Sequence, residues 1–253
     1  MISRALICIA LLASPVWAGI NEVVLDQIGT MPSGGGYATD LGAHQGLADS
    51  VKVGEGVQIM PAKASPGYCS GATYLVFLKT LAALQKEKAL ALSPETWEAL
   101  TPRLRPDGTD TLPDGESLWG RWNANGPGTA RLFYELKLGR NFTDLAEAQP
   151  GDFMKIFWTD AVGKKESGHS VIFLGRATVG GVEQVRFWSS NQPDGFGEKS
   201  VPRAKIALAI FSRLEHPERL VNWKSLAERD TYLASLLRTE SSFTEAKKMS
   251  GAN

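Results

Sequence analysis

The sequence predicts an α+β protein, with a helical first part packed on an antiparallel sheet formed by the second. Two observations carry that expectation. From about residue 68 to 148, apolar residues fall into helix-like segments that open and close on helix-capping residues. From residue 150 the pattern changes to short runs rich in Val, Ile, Phe or Trp, bounded by Gly, Pro, Asp or Lys clusters, as strands joined by tight turns require. The 253 residues suffice for one large domain with a substantial core. Lys and Arg number 27 and Asp and Glu 27, which gives no electrostatic basis for nucleic acid or an anionic membrane surface as the main partner.

Taken in order, residues 1–18 read as a secretory signal. Arg4 is the charged start, residues 5–13 form a short apolar run, and Val16-Trp17-Ala18 offers small residues at the right places for cleavage. The run is too short to stay behind as a membrane anchor. The expectation is an exported protein, periplasmic or secreted, whose residues 19–253 form a single domain. Of the two cysteines, Cys8 lies in the signal run and only Cys69 would remain. One unpaired thiol in a disulfide-forming compartment is an oxidation hazard, which favours a chemical role over a structural one.

Residues 19–66 read mostly as loops around Gly34-Gly35-Gly36, with strand-like pieces at 51–53 and 57–60. His44, in Gly42-Ala43-His44-Gln45-Gly46, reads as a solvated loop residue. Then comes Ser65-Pro66-Gly67-Tyr68-Cys69, a turn that delivers a cysteine to the first turn of a helix apolar nearly all round over 68–84. Such a helix belongs inside a domain, and a thiol at its start feels unpaired N–H groups and the positive end of the dipole. A second helix starts at Ser93-Pro94-Glu95, with Ser as N-cap, Pro in first place and Leu92 and Trp97 spaced as a hydrophobic staple. Asp107, Asp110, Asp114 and Glu116 lack the spacing of a calcium loop and read as surface turns. Residues 129–138 predict a helix stopped by Gly139 in a left-handed conformation. Strands are expected at 153–158, 169–174, 182–189 and 207–214, with Gly180-Gly181 reversing the chain between the second and third. Residues 223–248 predict a closing amphipathic helix, followed by a frayed polar end over 247–253.

Three features of this order belong together chemically. Cys69 opens the buried helix, His169 opens a strand after Gly168, and the next strand ends in Ser189-Ser190-Asn191-Gln192. Antiparallel neighbours bring the end of one strand to the start of the one before, so Asn191 falls beside His169. A thiolate attacks an acyl carbon, an imidazole pairs with it and later protonates the leaving amine, and a polar group on the other ring nitrogen fixes the ring.

This arrangement, together with the Pro150-Gly151-Asp152-Phe153 strand start, resembles the papain-like cysteine peptidases and amidases, closest to the NlpC and CHAP branches, over about residues 60 to 215. The resemblance implies Cys69 as nucleophile, His169 as general base and Asn191 as orienting residue, with Ser189 and Gln192 as the other candidates for the third place. It also implies a central helix on an antiparallel meander and hydrolysis of amide bonds in peptidoglycan peptides, without metal or organic cofactor. Two departures stand out: NlpC-type enzymes usually carry Asp before the Cys, where this chain has Tyr68, and Cys69 and His169 lie 100 residues apart. The long interval predicts that residues 90–148 are a helical insertion over the cleft. Three other readings of the same residues stay open. One is an acyltransferase or transamidase in which an amine takes the acyl group. Another is a secreted binding module whose Cys69 is buried and unreactive. The last is a zinc site on Cys69, His169 and His44, which would lack the fourth ligand that structural zinc takes.

Overall fold

The computed structural model describes residues 19–253, so the expected signal segment 1–18, with Cys8, lies outside the described residues. Helix α1 (Ile20–Gly29) places Ile20, Val23, Val24 and Ile28 at helical spacing on the main core, with Val24 fully buried. A two-residue strand β1 (Gly34–Gly35) follows, then helix α2 (Leu41–Asp49), capped by Asp40, whose carboxylate accepts the Ala43 N–H at 2.9 Å. Residues 19–66 therefore hold two helices where loops were expected, and His44 is helical. Gly42 and Gly46 lower the helix signal of α2. Gly46 is needed there for packing, because a Cβ would come within 2.5 Å of the Lys63 carbonyl oxygen. Strands β2 (Val51–Val53) and β3 (Val57–Ile59) form a separate hairpin.

Helix α3 (Cys69–Lys86) runs through the middle of the molecule. Tyr74, Leu75, Val76, Phe77, Leu78 and Leu81 have no exposed surface, as an all-round apolar helix requires. Helix α4 (Pro94–Leu100) begins at the predicted cap, with Ser93 Oγ accepting the Thr96 N–H at 3.2 Å. Helices α5 (Ser117–Trp122) and α6 (Gly128–Leu136) follow, then strand β4 (Gly139–Phe142). The segment 90–148 is thus part of the body rather than a helical cap alone. Trp122 stacks on Phe77 at 4.9 Å and meets Phe153 edge-on at 5.2 Å, and β4 joins the main sheet. The left-handed stop of α6 is Lys137, at φ 54°, and not Gly139. Gly139 is small for a different reason: a Cβ would overlap the Arg213 carbonyl oxygen of the neighbouring strand.

The second half contributes strands β5 (Phe153–Phe157), β6 (Val162–Gly163), β7 (Gly168–Val179), β8 (Val182–Asn191), β9 (Gly195–Pro202) and β10 (Leu208–Leu214). The main sheet is antiparallel in the order β1-β9-β8-β7-β5-β10-β4. Gly180 and Gly181 make the β7–β8 reversal, both at positive φ, between the paired Val179 and Val182. Sequence pattern missed β9, whose Glu198, Lys199 and Ser200 face water beyond its short pairing with β1.

The closing segment differs from the single helix expected over 223–248. It divides into a 3-10 stretch (Pro217–Ser225), helix α7 (Thr231–Ser235), strand β11 (Glu240–Ser241) paired with β6, and helix α8 (Phe243–Ser250). Two internal caps cause the division. The Asp230 carboxylate accepts the Leu233 N–H at 2.9 Å and Ser242 Oγ the Glu245 N–H at 3.0 Å, and each starts a new helix. The end is not frayed. Thr143 N–H donates to the Asn253 carbonyl at 3.0 Å, and the Arg131 guanidinium to the Met249 carbonyl at 2.8 Å. Among the described residues no helix is long and apolar enough to cross a membrane.

Candidate active site

Cys69 is the first residue of α3, preceded by an extended Tyr68 that supplies no side-chain cap. The N–H groups of the first helical turn therefore lack intrahelical acceptors. The turn before it is tied down from two directions. Gly67 carbonyl oxygen accepts the Ala38 N–H at 3.1 Å and the Ser190 hydroxyl at 3.0 Å, while Gly67 N–H donates to the Gly36 carbonyl. The Gly34-Gly35-Gly36 stretch and the end of β8 thus set where the cysteine stands, and Cys69 is half-buried there.

His169 lies near the start of β7, opposite Ile156 of β5, with its ring between Trp158 (6.2 Å) and Phe187 (5.7 Å). Its Nε2 is 3.0 Å from Asn191 Oδ1. The amide of Asn191 is itself oriented, because its nitrogen donates to the Gly197 carbonyl at 2.8 Å and the Ser189 carbonyl at 3.3 Å. Oδ1 is the atom left for the ring, so Nε2 carries the hydrogen and Nδ1 is free to serve the thiol. Ser189, buried, spends its hydroxyl on the Ser170 carbonyl at 2.7 Å, and Gln192 is exposed past the strand end. Of the three polar residues considered for the third place, Asn191 meets the ring.

The electrostatics follow from these neighbours. Burial pushes the Cys69 thiol up, but hydrogen bonding and charge from the His169 imidazole, the Ser170 N–H and the Lys155 ammonium together outweigh it. The thiol falls from 9.0 to about 6. Tyr37 was not found by sequence reading. Its hydroxyl stands 3.9 Å from the Cys69 sulfur, and burial together with the adjacent thiolate charge drives its ionisation well upward, so it stays a donor. Its only sequence cue is its place directly after three glycines; the contact arises because Tyr37 bridges to Gly67.

The other candidates lie elsewhere. His44 Nδ1 is 2.7 Å from the Tyr68 hydroxyl, and burial lowers its pKa. Among the described residues no three His, Cys, Asp or Glu side chains converge as metal ligands, so the Cys69, His169 and His44 grouping does not form. Asp152, of the strand-start motif, is fully buried and structural: it accepts two bonds from Arg213 (2.8 and 2.7 Å), one from Asn21 (2.8 Å) and one from the Gln149 N–H (2.8 Å). The segment 90–148 reaches the site through Asn123, whose Oδ1 accepts the hydroxyl of Ser70, next to Cys69.

Comparison of the chain with protein-family models, with curated proteins and with solved structures finds no match.

Proposed function

We propose that this protein is an exported papain-like cysteine hydrolase of the NlpC/CHAP kind that cleaves amide bonds, with peptidoglycan peptides as its substrate class. One observation carries the reading. The one cysteine among the described residues stands half-buried at the head of the central helix, its thiol lowered to about 6 chiefly by a histidine whose other ring nitrogen is fixed by a doubly anchored asparagine. A structural cysteine needs no such partners. The substrate class rests on the family resemblance and on the expected export signal.

In this mechanism the Cys69 thiolate attacks the amide carbonyl. The negative charge that develops on oxygen is met by the Cys69 N–H and by the Tyr37 hydroxyl, which lies 3.9 Å from the sulfur. The carbon–nitrogen bond breaks, His169 gives its proton to the departing amine, and a thioester remains on Cys69. His169 then takes a proton from water, the hydroxide opens the thioester, and the acid product leaves. Asn191 keeps the imidazole facing both partners through the cycle.

The test is digestion of purified peptidoglycan and of its soluble peptide fragments, read by mass spectrometry as new amine and acid ends. Wild type should release such products and Cys69→Ala should release none. Equal release by the two proteins, or none from wild type on any fragment, contradicts the reading.

A further inference from the structure

Lys155 and Glu166 form a nearly buried ion pair beside the site that takes no part in the bond-making and proton-transfer steps above. Lys155 Nζ stands 2.8 Å from Glu166 Oε1, the side chains being 14% and 5% exposed. The other Glu166 oxygen accepts the N–H groups of Gly126 at 2.6 Å and Gly163 at 2.9 Å, which fixes the carboxylate from two loops. In the β5–β7 register Lys155 lies opposite Ser170, the residue after His169. Thr73, one turn along α3 from Cys69, shares one small cavity with Lys155 and Ser170. A Cβ on Gly168, just before His169, would lie 2.9 Å from Lys155 Nζ and 3.2 Å from Glu166 Oε1. Lys155 thus borders the start of the histidine strand and a cavity shared with the nucleophile's helix.

We propose that Lys155 is a positioning residue of the site, which presents a second fixed positive charge to the Cys69 sulfur and holds it as a thiolate, with Glu166 as the arm that keeps the ammonium in place. The inference rests on the reading of Cys69 as nucleophile. His169 must move protons during the cycle, whereas an ammonium tied to Glu166 stays where it is. When water opens the thioester, the carbon–sulfur bond breaks with its electron pair going to sulfur. At that step His169 holds the proton taken from water, and Lys155 stabilises the departing thiolate without being consumed. The charged and titratable groups that face the sulfur are His169 on β7, Lys155 on β5, and Tyr37 and Tyr68 from the turn side. Lys155 itself faces Glu166 and Asp114.

The experiment is the pH dependence of Cys69 alkylation by iodoacetamide, read by peptide mass spectrometry, in wild type, Lys155→Met, Lys155→Arg, Glu166→Gln and His169→Ala. Loss of the ammonium should raise the midpoint by about half a pH unit or more, and Lys155→Arg should hold it near wild type. Glu166→Gln keeps an oxygen to accept from the ammonium, so Lys155 stays in place while one negative charge is lost, and the midpoint should fall. Opposite signs for Lys155→Met and Glu166→Gln mark a field effect, since general loosening of the site moves both the same way. A Lys155→Met midpoint equal to wild type, or both variants shifting upward together, overturns the proposal while a raised midpoint in His169→Ala leaves the nucleophile reading standing. A His169→Ala midpoint equal to wild type overturns that reading, and the role of Lys155 with it.

Discussion

Asn191 fixes the imidazole through a single oxygen, so its replacement separates ring orientation from nucleophile strength. Asn191→Ala should lower kcat on a cleaved peptidoglycan fragment by about tenfold to a hundredfold with KM little changed, the cost of a misplaced catalytic group. Tyr37→Phe removes one oxyanion donor and should lower kcat by roughly a hundredfold while leaving Cys69 in place. Steady-state kinetics check both, and a fall confined to KM in either contradicts the assigned role. Asp114, buried and not the surface turn residue that its sequence setting predicts, offers a test by linkage. Burial is the largest influence on its carboxyl and raises it from 3.8 to about 6. A carboxyl raised on folding contributes stability that is fully present below its unfolded pKa and is lost as pH rises through the folded one. Stability should therefore fall between pH 4 and pH 6, by on the order of 3 kcal/mol from this group. Asp114→Asn, which can still accept the Asn125 N–H, should flatten that part of a urea-unfolding profile. The residues legible in sequence were those whose chemistry is rare in a chain expected to be exported, Cys69 above all. Tyr37, Lys155 and Glu166 were not legible, because each gains its meaning from a contact across strands or loops that no local pattern encodes.

Two neighbouring positions show how an element boundary can be misread and how it can be tested. Gly139 fits the sequence rule for a helix stop, but the left-handed residue is Lys137 and Gly139 serves the close approach of β4 to β10. Gly139→Ala should destabilise the protein by roughly 2 kcal/mol or more through that overlap. Lys137→Gly should stabilise it by about 0.5 kcal/mol, since glycine meets φ 54° without steric cost. Chemical denaturation of the two variants should give opposite signs, and a neutral Gly139→Ala contradicts the packing argument. Long apolar elements were readable: α3 and the core of β5, β7, β8 and β10 have apolar runs that only burial satisfies. The elements that escaped are short or capped from within. In the closing segment Leu226, Tyr232, Leu233, Leu236 and Leu237 fall on a helical face, yet Asp230 and Ser242 restart the chain twice, and residues between them pair with β6 instead.

Over the whole molecule, the helix that carries Cys69 and the sheet that carries His169 and Asn191 meet through one aromatic cluster of Tyr74, Phe77, Trp122, Phe133 and Phe153. Trp122 comes from the segment 90–148, so that segment holds the two halves of the site in register. Trp122→Ala should cost about 3 to 5 kcal/mol of stability. The α+β division was visible from the change of period near residue 150, because each half keeps one period long enough to read. How the segment 90–148 packs was not visible, since its aromatics fit a cleft wall and a core equally well in one dimension. What the arrangement asserts most directly is that His169 makes Cys69 a thiolate at neutral pH. The decisive measurement is the alkylation rate of Cys69 at pH 7 in wild type and His169→Ala, with circular dichroism to show that both are folded. With the thiol near 6 the wild-type sulfur is mostly ionised, and loss of the imidazole should slow labelling by about tenfold or more. Equal rates in the two folded proteins would contradict the Cys69–His169 pairing on which the proposed chemistry depends.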